Sequence, residues 1–254
     1  MRREHEKTYI YGKHALTEAL LNAPHIVKKV FLSPEMDDRE LRDLLKKKAI
    51  PAVFMRGSKE AEKMVGRETS HQGVIAIADT QSLVIDFRDF IEKLEPTKNT
   101  LLVILDELND PHNVGAIIRS ATAFGASGVL IPPHNQAPIT GTVVKTSAGM
   151  VFRVPIVAIG NVNYAITALK EKGFKAYALL MDGQKNVAKE IFDAPTILVI
   201  GNEAKGVREK TIELCDVKLR IPMDTRCESL NASVSAAVVA YEWYSQHQKT
   251  PRHK

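Results

Sequence analysis

The sequence predicts two α/β units in tandem, a small one at the amino-terminal end and a larger one built on a parallel sheet. Three observations carry this. Short apolar strands alternate with amphipathic helices along nearly the whole chain of 254 residues. Beyond residue 100 the strands, such as LLVILD and TILVIG, are apolar at almost every position, which is the pattern of strands covered on both faces. Composition is that of a globular protein, 44% hydrophobic and 26% charged, with no fixed-period repeat or low-complexity stretch.

Taken in order, GKHALTEALLNA has helical spacing, VKKVFLS reads as a strand, and DDRELRDLLKKKA as a charged amphipathic helix. PAVFM is a short strand, SKEAEKMV a helix, and GVIAIA an apolar strand ending near Ala78. From Asp79 through Asn99 no strand is expected; the stretch holds DFRDFIEKLEP, a short amphipathic helix stopped by Pro96, and reads as a connector. LLVILD, NVGAIIRSATAFG closed by Gly125, and SGVLIP open the larger unit. VNYAITALKEKG, FKAYALL, TILVIG, VREKTIELC and VKLRIP continue the alternation, and SLNASVSAAVVAYEWYSQ is the last helix. The expected layout is a first domain over 1–80, a linker over 81–99 and a second domain over 100–254, with the tail HQKTPRHK disordered.

Bulk properties narrow the function classes. No uninterrupted apolar run approaches the roughly 18 residues that span a bilayer, and the basic start MRREHEKTYIYGK has no apolar region behind it, so a cytoplasmic protein without membrane attachment is expected. Cys215 and Cys227 form neither a metal-ligand spacing nor a disulfide framework, so reduced thiols and no metal are expected. The net charge of +5 and pI near 9.1 fit a polyanionic partner and a merely solvated basic surface equally well.

Open parallel sheets bind ligands beyond the carboxyl ends of their strands. Three polar stretches occupy such places: ELNDPHNVGAIIRS after LLVILD, NEAKGV after TILVIG, and MDTRCESLNASVS after VKLRIP. In the first, Asn113 reads as a cap or Asx-turn residue, Arg119 as a solvated helix residue and His112 as a loop residue, unless a ligand draws on them. In the second, a strand-to-helix turn carries Gly201 and Gly206 but fits neither the P-loop nor the dinucleotide fingerprint, and Glu203 in its middle would repel a phosphate. In the third, Ser229, Asn231, Ser233 and Ser235 crowd a helix start beyond what capping requires. Tight helix packing and ligand contact both account for them.

NDPHNVGAIIRSATAFGASGVLIP, LVIGNEAKGV and IPMDTRCESLNASVSAAVV, in this order and spacing, resemble the three motifs of the SpoU, or TrmH, family, over about Thr100 to Gln246. The family comprises S-adenosylmethionine-dependent RNA ribose 2′-O-methyltransferases of the SPOUT superfamily. YGKHALTEAL and SHQGVIAIA are similar to the amino-terminal domain of its RlmB-like branch. The resemblance implies a small α/β RNA-binding domain of ribosomal-protein type, followed by a parallel-sheet methyltransferase domain whose carboxyl-terminal segment forms a trefoil knot. It also implies S-adenosyl-L-methionine as cofactor, whose lack of phosphate suits a glycine turn bearing Glu203.

Carried over by motif, Gly201, Ile221, Met223 and Leu230 are the expected cofactor-binding residues. Asn113 and Arg119 in the first motif, Glu203 in the second, and Ser229 and Asn231 in the third are the expected catalytic set. A guanidinium is a poor base but a strong phosphate and oxyanion partner, so Arg119 is read as clamping the target phosphate and stabilising the developing alkoxide. Many relatives have glycine where this chain has Thr225, and a β-branched residue resists positive φ, so the local loop shape is open at this point. RNA is the implied partner, rRNA favoured over tRNA, with a guanosine in a large-subunit rRNA loop as the expected target. In the first domain, Lys28, Lys29, Lys46, Lys47, Lys48 and Arg56 are the expected phosphate contacts. A homodimer through the methyltransferase domain is also implied; Val238, Val239, Trp243 and Tyr244 can supply either its interface or the core.

Overall fold

The computed structural model describes residues 8–67 and 69–247. The expected disorder of the tail concerns residues 248–254, outside the described residues, while His247 closes the last helix. Among the described residues no helix is long and apolar enough to cross a membrane.

The first unit is a four-stranded mixed sheet. It runs β1 (Thr8–Tyr11), α1 (Lys13–Asn22), β2 (Val27–Leu32), α2 (Arg39–Lys47), β3 (Ala52–Phe54), α3 (Ser58–Val65) and β4 (Val74–Ala78), in the strand order β1-β4-β2-β3. Strand β4 pairs antiparallel with β1 and β2, and β3 pairs parallel with β2. Helix α2 starts where the Asp38 carboxylate accepts the Leu41 N–H at 2.9 Å and ends with Lys46 and Lys47 beside the exposed carbonyls.

The second unit holds β5 (Val84–Asp86), α4 (Phe87–Lys93), β6 (Leu101–Asp106), α5 (Pro111–Ala123), β7 (Gly128–Ile131), α6 (Gly141–Thr146) and β8 (Ile156–Ala158). It continues with α7 (Val162–Glu171), β9 (Lys175–Leu179), β10 (Lys185–Asn186), β11 (Thr196–Gly201), α8 (Glu209–Leu214), β12 (Val217–Arg220) and α9 (Ala232–His247). The eight strands, in the order β10-β12-β9-β11-β6-β7-β8-β5, pair parallel throughout. Two separate hydrophobic clusters line the two faces, and every residue of β6 is buried, as its unbroken apolar run requires.

The connector departs from expectation. Val84–Asp86 is a strand, paired parallel with β8 at the edge of the large sheet, and Phe87 behind it is buried in the second cluster. Three residues are too few to show a strand period, and only the neighbouring edge reveals their pairing. The last helix also starts later than expected, at Ala232, because the Asn231 side chain accepts the Ser233 N–H at 2.8 Å and so caps it.

The two units share one continuous core, in which Ile10, Leu16 and Ala19 join Val143, Val144 and Val151. Glu18 on α1 takes both Nε and Nη2 of Arg153 at 2.5 and 2.9 Å, and Arg153 holds its carboxyl below the usual carboxylate range. A Cβ on Gly141 would come within 2.1 Å of the Tyr9 carbonyl, so α6 meets β1 at backbone distance. At the other end of the sheet, β12 lies between β9 and β10, and residues 180–184 joining those two strands cross it. There the Leu180 N–H donates to the Leu219 carbonyl at 2.9 Å, and a Cβ on Gly183 would lie 2.4 Å from Leu219 backbone atoms.

Candidate functional site

Where β9, β11 and β12 end at their carboxyl edge, a cleft of about 850 Å³ opens, within the usual range of small-molecule sites. Its walls are the loops after these three strands. Gly201, Glu203, Ile221, Met223, Ser229 and Leu230 all line it, so two of the three polar stretches singled out in the sequence meet there. The third wall, with Met181, Asp182 and Gln184, was missed. The same strand-end rule would have found it, since polar residues follow FKAYALL too.

The shape of the β11 loop comes from its backbone. Asn202 and Gly206 exchange two hydrogen bonds, N–H to carbonyl at 3.0 and 2.8 Å, and the Asn202 Oδ1 accepts the N–H groups of Ala204 and Lys205. Gly206 takes φ +70°, which suits glycine. Gly201 is needed for a different reason: a Cβ there would lie 2.1 Å from Val207 N and 2.2 Å from Gly206 C. The close backbone approach that this glycine permits is therefore to its own turn.

A chain of hydrogen bonds ties the first stretch to the other two. Asn113, 7% exposed, donates through Nδ2 to Glu203 Oε1 at 3.1 Å and accepts from Asn231 Nδ2 at 2.9 Å. Glu203 Oε1 also accepts the Asp110 N–H at 3.3 Å. Asn113 is not the cap of α5; Asp110 is, accepting the His112 N–H at 2.8 Å, with Pro111 at the first helical position. The Asn113 amide is thus free of backbone duty and links the segments after β6, after β11 and before α9.

An ion pair between a buried aspartate and an exposed arginine braces the same loops. Asp106, fully buried at the end of β6, lies 2.7 Å from Arg208, which also reaches Glu107 at 3.0 Å, while Asn202 donates to the Glu107 carbonyl at 2.8 Å. Neither Asp106 nor Arg208 was singled out in the sequence, although an aspartate closing an apolar run was a signal. Within the third motif's loop, exposed Arg226 pairs with both Asp224 oxygens at 2.9 and 3.1 Å. Thr225 is not among the described non-glycine residues with positive φ, so the loop shape carries no strain at this residue.

Arg119 stands apart. It is exposed on α5, does not line the cleft, and makes no side-chain hydrogen bond or ion pair among the described residues. It shares a helical stripe with Ala116 and Ser120, which face Val234, Val238 and Tyr241 of α9 across a shallow apolar groove. These three α9 residues are 48%, 38% and 55% exposed. Val239 and Trp243, on the other side of α9, are core residues, and Tyr244 packs against Phe124 at 5.8 Å.

The model of the SpoU rRNA methylase family matches residues 100–241, and that of the RNA 2′-O ribose methyltransferase substrate-binding domain matches residues 9–83. The chain belongs to the SpoU family. A relative called an uncharacterized tRNA/rRNA methyltransferase, from Mycoplasma pneumoniae, is 34% identical over 96% of this chain and 100% of its own. The 23S rRNA (guanosine-2′-O-)-methyltransferase RlmB of Nitrosomonas europaea is 34% identical over 94% of this chain and 92% of its own. Among solved structures, the SpoU methyltransferase AviRb of Streptomyces viridochromogenes in complex with AdoMet aligns at a TM-score of 0.79 and 25% identity. That alignment covers 94% of this chain and 90% of AviRb. The cleft of this SpoU chain suits such a ligand: apolar Ile221, Met223 and Leu230 can flank a nucleoside, while Asp182 and Glu203 favour a cation and disfavour phosphate.

Proposed function

We propose that this RNA methyltransferase methylates the ribose 2′-hydroxyl of a guanosine in a 23S-type large-subunit rRNA loop, in the cytoplasm. S-adenosyl-L-methionine is the cofactor, and when bound it supplies an electrophilic methyl group on a sulfonium. Gly201, Ile221, Met223 and Leu230 hold it in the cleft, where they stand together. The observation that carries the reading is the Glu203–Asn113–Asn231 chain, which ties the three family motifs to one another, with Glu203 on the cleft wall. Those residues order the loops, Ser229 contributes a hydroxyl at the cleft wall, and alignment of the ribose oxygen supplies most of the rate.

In this reading Arg119 clamps the target phosphate and stabilises the developing alkoxide from the partner's side of a homodimer. Its distance from its own cleft and its place beside the exposed α5–α9 groove both support that arrangement. The crossing of residues 180–184 over β12 supports a trefoil knot in the carboxyl-terminal segment. The matched ranges support domains over 1–80 and 100–254, with β5 and α4 of the connector packed on the second. The rRNA preference rests on similarity to RlmB along both domains.

The test is transfer of labelled methyl from S-adenosylmethionine to unmodified total rRNA and tRNA, with alkali-resistant ribose sites mapped and Arg119→Ala run alongside. Label in one rRNA loop, lost with Arg119→Ala while the cofactor still binds, is the expected result. Label in tRNA alone would transfer the reading to a tRNA enzyme. No label in either, with the cofactor bound, would favour a non-catalytic RNA-binding protein of the same fold.

A further inference from the structure

The sheet of the first unit has two unequal faces. One is buried under α1 and α2, through Ile10, Val30, Leu32, Val74 and Ala76. Among the described residues the other is partly covered by the two turns of α3, around Met55, Ala61 and Ile75, against which Tyr9, Tyr11 and Phe31 pack without being buried. The register sets two rows across this second face: Tyr9–Ile77–Lys29, and Tyr11–Ile75–Phe31. Tyr9, Tyr11, Phe31, Ile77 and Lys29 all remain partly exposed.

Cations sit over these rings. Lys29 Nζ is 5.2 Å from the Phe31 centroid, and Lys145 Nζ, from α6 of the catalytic unit, is 5.0 Å from the Tyr11 centroid. Each ammonium has three donors, and Lys145 uses one on the Ser70 carbonyl at 2.6 Å, so donors are left for phosphate. Partly wet aromatics alternating with lysines are the arrangement that binds single strands, where bases stack on rings and phosphates meet cations. Through α6 the face is also linked to the first motif. Thr146, next to Lys145, reaches the Pro111 carbonyl at 3.5 Å and fills the space beside Gly115, both two residues from Asn113.

We propose that this half-open face, with Tyr9, Lys29 and Phe31 at its centre and Lys145 at its rim, is where a single-stranded segment of the RNA substrate docks. The proposal rests on the RNA methyltransferase reading and adds the surface, with its charge complementary to phosphate. It sets α6 as the bridge that carries the strand from the first domain to the cleft. The basic end of α2, with Lys46, Lys47 and Lys48, lies across the sheet on the other face and takes no part.

Fluorescence anisotropy of labelled oligouridine and of a blunt RNA duplex with the full chain tests this without turnover. Tyr9→Leu should weaken oligouridine binding at least about fivefold, the lower end for one stacked base. Lys29→Gln, at a partly exposed position that leaves folding intact, should reduce the slope of log affinity against log salt by about 0.7. Lys46→Gln/Lys47→Gln/Lys48→Gln should stay within about twofold of wild type at physiological salt. Unchanged binding by Tyr9→Leu and Lys29→Gln, a large loss in the α2 triple variant, or no oligouridine binding by the wild type would each overturn the proposal. Loss of binding in the two face variants, with no methyl transfer by the wild type, would uphold the surface and sink only the catalytic reading.

Discussion

Gly201→Ala puts the β11 loop to a direct test. The new Cβ would meet Val207 N at 2.1 Å and Gly206 C at 2.2 Å, more than 1 Å inside ordinary van der Waals contact. Both are backbone atoms, so no rotamer change relieves the clash. The turn must swing away from β11, and the two Asn202–Gly206 hydrogen bonds at 3.0 and 2.8 Å cannot survive such a shift. Losing two bonds of about 0.5–1.5 kcal/mol each gives about 1–3 kcal/mol, consistent with overpacking costs. Because β11 is held on both sides by β6 and β9, the change should fall on the loop and leave the sheet intact. Titration calorimetry with S-adenosylmethionine should show affinity reduced roughly 5- to 150-fold, with circular dichroism unchanged. Gly206→Ala, which meets nothing within 4 Å but sits at φ +70°, should cost less, about 1 kcal/mol. Wild-type affinity in Gly201→Ala would refute the claim that this turn shapes the cofactor wall.

Asn113→Ala leaves Glu203 and Asn231 without their shared partner and should lower methyl transfer by about tenfold or more, with a stability loss of about 1–3 kcal/mol read by denaturant titration. Tyr241→Glu, in the exposed α9 stripe, should convert the proposed dimer to monomers in sedimentation and abolish transfer while the cofactor still binds; an active monomer would defeat the shared-site reading of Arg119. Glu18, held low by the Arg153 hydrogen bond, contributes stability that is complete above the ordinary value of 4.5 and lost as pH falls through its lower folded value. The melting-temperature gap between wild type and Glu18→Gln should therefore be steady near neutrality and close only below about pH 4.5. Burial pushes the Cys215 thiol up to about 12, whereas Cys227 is exposed, so iodoacetamide at mildly alkaline pH should label Cys227 alone until the chain is denatured.

Much was legible in the sequence, and for local reasons. Short apolar runs without alternation, bounded by turn residues, fit strands covered on both faces, so LLVILD and TILVIG announced the parallel sheet. Resemblance to the family's motifs implied one site for Gly201, Ile221, Met223, Leu230 and Ser229, and the cleft brings them together. What tertiary structure alone decided depends on distances between segments far apart in the chain. The strand at Val84–Asp86 exists because β8 offers it an edge. Asn113 became a link and not a cap because Asp110 took that duty and Glu203 and Asn231 came within reach. Gly201 is required by Val207, and Arg119 lies outside the lining of its own cleft, because packing, not composition, sets which atoms meet. Periodicity specifies the elements; only their three-dimensional arrangement specifies which side chains share a site.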